Sequence, residues 1–283
     1  MIPVSLQIRP ARPADHQQIA SLMYFEAHVH RHMDWRTPLD WLGSPHYWVL
    51  EDQERIMAAL ACSQDPPGVA WLRLFTYASP LAGPEAWSPL WEAARSEMAR
   101  AGGALAAVIA TKPWIQDLLN ESGFDIYQDI VLLEWTARLM DAYPLPAGLS
   151  IRPMLVNDLP LVVETDADAF EPLWCNSIHA LRKAYSLAVC ATIAEEAGKV
   201  VGYQISTGNM LGAHLARLAV RKEAQGRGVG TALVNDLILR LNSRNLARLT
   251  VNTQADNAAS LSLYQKMGFV RTGEMYPVFT HQV

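Results

Sequence analysis

The sequence predicts an α/β protein in which one fold occurs twice in tandem, each copy a mixed central sheet flanked by helices. Residues 8–15 read IRPARPAD and residues 151–158 read IRPMLVND, 143 positions apart. Each places Ile-Arg-Pro at the end of a short apolar strand and an aspartate just ahead of a helical pattern. Residues 118–124 (LLNESGF) and 263–269 (LYQKMGF) both stop a helix with Gly-Phe, at a spacing of 145. Repeats this far apart signal duplicated domains, since solenoid periods are much shorter. The stretch ARLMDAYPLPAGLS carries two prolines and a glycine between apolar strands, as linkers do. The expected organisation is a first domain over 1–136, a linker over 137–148 and a second domain over 149–283.

The elements of the second copy follow from their periods. After the Ile-Arg-Pro strand and its helices, AVCATIAEE and VVGYQIST read as strands flanking a turn at 197–199. HLARLAV is another strand and leads straight into a glycine-rich run. A helix over 231–242 sets Leu233, Val234, Leu237, Ile238 and Leu241 on one face, so it packs on a sheet. ARLTVNT is the next strand, and NAASLSLYQKMGF is a helix stopped by Gly268.

Composition narrows the function classes. A chain of 283 residues accommodates two domains and real cores. No stretch approaches the about 20 uninterrupted apolar residues of a membrane helix, and MIPVSLQIRP has no basic segment leading into an apolar one, so no signal peptide is expected. The expectation is a soluble, cytoplasmic protein, monomeric or homodimeric. Cys62, Cys175 and Cys190 are odd in number and widely spaced, which favours reduced thiols over a disulfide framework or metal knuckle. A net charge of -5 offers no general attraction to nucleic acid or anionic membrane and suits a neutral or cationic partner.

Chemistry is concentrated in EAQGRGVGTALV, residues 223–234. Gly226, Gly228 and Gly230 strip side chains from the backbone just before a helix, so that an anion, most often a phosphate, can touch bare amides at the positive end of the helix dipole. A P-loop would need a lysine beside the last glycine, and a dinucleotide fingerprint would need glycine where Thr231 stands. The spacing present is Gln-x-x-Gly-x-Gly. Downstream, QADNAASLSLYQKMGF opens a helix at Asn257, carries Tyr264, and ends in Gly268-Phe269. Loop and helix together resemble the GNAT superfamily of N-acetyltransferases, which hold acetyl-coenzyme A. The likeness covers 149–283 with its motifs and reaches the first half only as a topology.

The resemblance implies an acetyl-coenzyme A-dependent transfer to a primary amine, a small molecule more readily than a protein, by direct attack in a ternary complex. It implies that the Leu218 amide polarises the thioester carbonyl and that Val220, beside Ala219, pairs with pantetheine like an added strand. Gln225, Gly226, Arg227, Gly228, Val229, Gly230 and Thr231 would wrap the pyrophosphate. Asn257 would line the pantetheine arm, and Tyr264 would protonate the departing thiolate. The chemistry agrees: the amine must be neutral, the oxyanion wants a backbone donor, and the thiolate leaves better with a proton. The plainer role for Tyr264 is to anchor its helix on the sheet.

The base has two family positions. Members that acetylate protein amino termini can carry a glutamate where Asn252 stands, and histone-acetylating members carry one where His214 stands. His214 could draw a proton through one water, since histidine titrates near neutral pH; a hydrogen-bonded histidine at the rim of the sheet, with solvent as base, is the alternative. The acceptor side falls on ETDADAFEPLWCNSIHALRKAYS, where Glu164, Asp166, Asp168 and Glu171 precede Trp174 and Tyr185. These carboxylates would favour a cationic amine, or serve as solvated caps near a helix start.

The first half departs from the pattern. Its strand VAWLRLFTY is followed by ASPLAGPEAW, with Gly83 alone between Pro80 and Pro84, which remove donors where amides should point at phosphate. Leu119 stands in the place of Tyr264 and Lys112 near that of Asn257. This is a decayed copy, rich in tryptophan, with eight of the nine. In HVHRH only His28 and His32 would share a helical face, and no metal site is expected. The tandem layout also resembles mycothiol synthases, acetyltransferases of a small aminothiol sugar conjugate. A non-catalytic acyl-coenzyme A sensor is the rival from another class; it has no thiolate for Tyr264 to protonate.

Overall fold

The computed structural model describes residues 6–136, 143–209, 212–244 and 248–283, so part of the expected linker, 137–142, lies outside the described residues. The first half contains β1 (Gln7–Pro10), α1 (His16–Phe25), β2 (Val29–Arg31), β3 (Tyr47–Asp52), β4 (Arg55–Ala61), β5 (Val69–Trp71), β6 (Leu74–Tyr77), α2 (Gly83–Arg100), β7 (Leu105–Ile109), α3 (Pro113–Glu121) and β8 (Asp125–Thr136). The second contains β9 (Leu149–Pro153), α4 (Leu159–Ala169), α5 (Ile178–Ser186), β10 (Ala188–Glu196), β11 (Lys199–Asn209), β12 (Gly212–Val220), α6 (Val229–Asn242), β13 (Arg248–Gln254), α7 (Ala258–Lys266) and β14 (Val270–Gln282). Among the described residues no helix is long and apolar enough to cross a membrane.

The compact units do not coincide with the sequence halves. One comprises Met1–Gln128 with Tyr276–Val283, the other Asp129–Met275. In the second unit the strand order is β9-β10-β11-β12-β13-β8. Strand β8 comes from the first half and lies between β13 and β14, pairing antiparallel with β13 from Ile130↔Gln254 to Thr136↔Arg248. In the first unit β1-β3-β4-β6-β2 form one sheet, while β7 lies between β5 and the end of β14, where Val278–Gln282 pairs with Ile109–Leu105. Each copy is thus closed by the last strand of the other. The sequence cut at 136/149 misses this exchange because an alternating strand shows which face is buried, not whose sheet edge it completes. One consequence is that Trp135, fully buried, belongs to the core of the second unit with Leu237, Ile238 and Phe269.

The duplicated Ile-Arg-Pro…Asp segments form the same device. Arg9 forks onto Asp15 at 2.7 and 2.9 Å and reaches Glu51 at 2.7 Å; Arg152 forks onto Asp158 at 2.8 and 2.9 Å and reaches Glu195 at 2.8 Å. Each aspartate also accepts a backbone amide at 2.7 Å, from Arg12 and Leu155. The arginine thereby ties its strand to the turn that opens the following helix, a charge-assisted bidentate pair in both copies. The aspartates' pKa values are held below the ordinary range; for Asp15 these hydrogen bonds outweigh its burial, which acts the other way, and for Asp158 the Arg152 fork is the main cause.

VAWLRLFTY is not one strand. The chain changes partner inside it: Leu72 N–H donates to Ala107 at 2.9 Å, and Arg73 N–H to Ala61 at 2.7 Å. β5 therefore runs parallel to β7 while β6 pairs with β4. β12 does the same without a break. It is parallel to β13 only over Ala213–Leu215, against Leu249–Val251, and stays with β11 as far as Val220, with a register shift opposite Ile205/Ser206. In each copy two neighbouring strands diverge at mid-length. HVHRH is also a strand segment, so His30 is buried, with Nε2 3.2 Å from the Leu72 carbonyl, and His32 stacks on Trp71 at 4.7 Å. Among the described residues no three His, Cys, Asp or Glu side chains are placed to hold a metal.

Candidate active site

The divergence of β12 from β13 leaves backbone groups pointing into a wedge. Arg221 N–H donates to the Val201 carbonyl at 2.9 Å. Antiparallel pairing alternates, so Ala219, opposite Tyr203, and Arg217, opposite Ile205, also turn their amides to β11. The amides of Leu218 and Val220 face the other way, toward β13, beyond the last parallel pair at Leu215↔Val251. Ala219, 2% exposed, offers the wedge no amide.

The glycine-rich run follows at once. Gln225 folds back so that its Nε2 donates to the Val220 carbonyl at 3.0 Å, and Asp168 accepts the Lys222 amide at 2.7 Å. Gly226 and Gly228 have φ of 72° and 85°, a region that disfavours any Cβ. Gly228 is the N-cap of α6 and brings no side chain to cap it; the first intrahelical bond runs from Ala232 N–H to Gly228 at 2.9 Å. The amides of Gly228, Val229, Gly230 and Thr231 are left without intrahelical acceptors at the positive end of a 14-residue helix. The side chains of Gln225, Arg227 and Val229 are otherwise engaged, Arg227 with Glu196 and Val229 in the core. Only backbone converges here, and a Cβ built on Gly226 would meet nothing within 4 Å.

The third glycine has another cause. A Cβ on Gly230 would stand 2.8 Å from Leu263 Cδ1, so this glycine lets α6 approach α7. Gly226 and Gly228 thus answer to backbone conformation and Gly230 to a helix contact, while the Gly230 amide still lies in the free first turn of α6. Helix α6 also starts two residues earlier than expected, at Val229, because Val229 and Ala232 are buried under the sheet along with the predicted face.

α7 carries the other motif residues. Asn257 Oδ1 caps it by accepting from Ser260 N–H at 3.0 Å, and its Nδ2 lies 3.4 Å from Gln254 Oε1. Tyr264 is 4% exposed, packed on Phe269 with ring centroids 5.4 Å apart. Its hydroxyl has no hydrogen bond among the described residues, and burial pushes its pKa well above the ordinary value. The phenol is therefore neutral at ordinary pH. His214 sits on β12 just ahead of the divergence, Nδ1 2.9 Å from Thr250 Oγ1; burial lowers its pKa, so the ring is neutral near pH 7. Asn252 is the first residue of β13 past the last pair with β12.

The acidic segment does not do what its charges suggested. Asp166 is fully buried and accepts from Arg217 Nε at 2.7 Å, Arg217 Nη2 at 2.8 Å, the Asn176 amide at 2.8 Å and the Tyr203 hydroxyl. Asp168 is bonded to Lys222 N–H, and Glu164 lies 3.4 Å from Arg221. Asp166 is thus spent inside the protein, Asp168 caps the turn that opens at Lys222, and Glu164 is a solvent-exposed carboxylate, as a solvated cap would be. The buried Arg217–Asp166–Tyr203 group was not read from the sequence, though an arginine inside the apolar strand HLARLAV is its signal: a charge there is stable only beside a counter-charge.

The first unit has the divergence without the cradle. Its α2 opens at Gly83-Pro84, and its own Glu85 carboxylate accepts the Ala82 amide at 3.1 Å. Tyr77 and Phe75, at the end of β6, pack against Trp114 with centroids 6.0 Å away, and Phe75 against Trp87 at 5.0 Å. Leu119 is fully buried in that core, and Lys112 precedes α3 without a side-chain cap.

A model of the acetyltransferase (GNAT) family matches residues 152–269. An uncharacterized N-acetyltransferase of Methanocaldococcus jannaschii is 31% identical over 121 residues, 42% of this chain and 76% of that protein. The chain belongs to the GNAT acetyltransferase family. As a GNAT protein it is an acyltransferase, and its fold is that of tandem members: a tandem GNAT protein from the clavulanic acid biosynthesis pathway superposes with TM-score 0.66 at 17% identity, over 98% of each chain. A mycothiol acetyltransferase of Amycolatopsis mediterranei is 28% identical over 181 residues, 56% of this GNAT chain and 59% of that protein.

Proposed function

We propose that the second unit transfers the acetyl group of acetyl-coenzyme A to the primary amine of a small molecule by direct attack in a ternary complex. The observation that carries this reading is the run of unpaired backbone donors along one path, Leu218 and Val220 in the wedge and then Gly228–Thr231 at the start of α6. A pyrophosphate suits the helix end, an extended amide-bearing arm suits the free edge of β12, and the Leu218 amide suits the oxyanion. His214, neutral by burial, takes the ammonium proton through water. Tyr264 donates a hydrogen bond to the sulfur as the thioester breaks. The likeness to a mycothiol acetyltransferase, across more of the chain than the family model covers, supports a small acceptor.

Titration calorimetry with acetyl-coenzyme A should give one site per chain, since the first unit has Pro84, without an N–H, and the Glu85 carboxylate where the second has its glycine-rich run. Release of free thiol in a panel of small primary amines then separates transfer from sensing. Binding without thiol release from any amine would favour the acyl-coenzyme A sensor, and two equivalent sites would refute a single working unit.

A further inference from the structure

Arg217 immediately precedes Leu218, and its side chain leaves β12 on the face opposite α6. Ala213, Leu215 and Leu218 pack toward α6, whereas His214, beside Thr250, and Arg217, paired with Asp166 of α4, lie on the other side. An amine that meets a carbonyl held by the Leu218 amide must come from this second face, because the first is filled by Leu215, Tyr264 and α6. The segment bounding it, Phe170 to Asn176, joins α4 to α5 and has one short turn of its own, Pro172–Trp174. Arg217 holds that segment at three points. The Phe170 ring lies over its guanidinium at 3.5 Å, Nη2 donates to the Trp174 carbonyl at 2.6 Å, and the Asn176 side-chain oxygen, in the orientation that satisfies both amide atoms, accepts from Nε and Nη2 at 3.1 and 3.2 Å. Behind it Asp166 and Tyr203 fix the guanidinium in its plane.

We propose that Arg217 is a positioning residue that sets the amine-binding segment 170–176 against the oxyanion amide of Leu218, so that the Arg217–Asp166–Tyr203 group governs acceptor recognition without touching acetyl-coenzyme A. The proposal rests on the acetyl-transfer reading. A planar fork satisfies Asp166, Trp174 and Asn176 together, and a lysine ammonium, a point donor, cannot. The first unit supplies an internal control. Arg73, 144 residues earlier, lies 2.7 Å from Asp34, donates to the Asp65 carbonyl at 3.1 Å and stacks on Trp41 at 4.5 Å, in a copy without the cradle.

The test uses the full chain. Arg217→Lys should raise KM for an accepted amine (ethanolamine, glucosamine and benzylamine as probes) by about tenfold or more, while Kd for acetyl-coenzyme A and its slow amine-free hydrolysis stay within about twofold. Hydrogen exchange should quicken in peptides spanning 167–177, with the protection that acetyl-coenzyme A gives 225–231 unchanged. Tyr203→Phe, which keeps the ion pair, should give a smaller rise in KM and serves if Arg217→Lys does not fold. Arg73→Lys should leave amine KM as in wild type. A KM that does not move, a Kd that moves with it, or an equal KM effect from Arg73→Lys overturns the positioning role. Wild-type protein that releases no thiol with any amine overturns the transfer reading instead, whatever the exchange data show.

Discussion

Replacing Tyr264 with phenylalanine separates a donor from an anchor, because the two roles predict different changes in stability and rate. The ring is 4% exposed in the core of the second unit, and the hydroxyl has no hydrogen bond among the described residues. Removing a hydroxyl that holds no protein hydrogen bond leaves no protein group unpaired and changes stability by at most about 1 kcal/mol. For a unit of this size that is about 2–4 °C in Tm, so the variant should melt close to the wild-type temperature. A hydroxyl that anchored α7 by a hydrogen bond would instead lose about 1 kcal/mol. Catalysis should suffer instead. Loss of the donor to sulfur should lower kcat by about 100-fold, or about 2.7 kcal/mol, with KM and acetyl-coenzyme A affinity little changed. A phenol held far above its ordinary value contributes by hydrogen bonding, so the defect should shrink with an acyl donor whose thiol is more acidic. Thermal unfolding of the free protein and thiol release at saturating substrates are the two measurements. A lower Tm with unchanged kcat would leave Tyr264 as an anchor and the thiolate to leave unaided.

Three further outcomes follow from particular residues. Burial lowers the pKa of His214, so the acid limb of kcat/KM should have its midpoint below about pH 6.5; His214→Ala should abolish that limb, and a limb that persists unchanged would make solvent the base. Gly226→Ala adds a methyl into open space at positive φ, so it should cost about 1 kcal/mol of stability yet weaken acetyl-coenzyme A binding about tenfold or more by calorimetry; Gly228→Val adds strain at φ 85° and a contact 3.4 Å from Pro146, so its larger loss would include disturbed helix capping. Normal affinity in Gly226→Ala would mean that the loop is only a turn. Burial lowers the pKa of His30 to about 4, and burial with the Arg73 and His30 charges lowers that of His32 well below its ordinary value. The unfolded chain therefore binds more protons below about pH 6.5, and stability should fall with pH by about 1.4 kcal/mol per unit for each histidine until its folded pKa is reached. The melting temperature measured from pH 7 to pH 5 should drop less in His30→Asn, and a flat wild-type profile would contradict the burial.

The sequence by itself determined the α/β class, the duplication and the glycine turn that opens α6. Leu233, Val234, Leu237, Ile238 and Leu241 fall on one buried face because helical period is local, and the Ile-Arg-Pro…Asp repeat is a local fork from a strand to the next turn. Gly226 and Gly228 were legible because positive φ selects glycine over short range. Only the tertiary structure decided which strand closes each sheet, since β8 and β14 reach partners far away in the chain and carry nothing in their own pattern that names them. It also decided that Gly230 serves the contact of α6 with Leu263, and that Asp166 is neutralised within the protein. A carboxylate in a list of residues looks free to bind a cation; its charge becomes structural when folding brings a guanidinium from 51 residues away into the same dry space, where neither group is stable without the other.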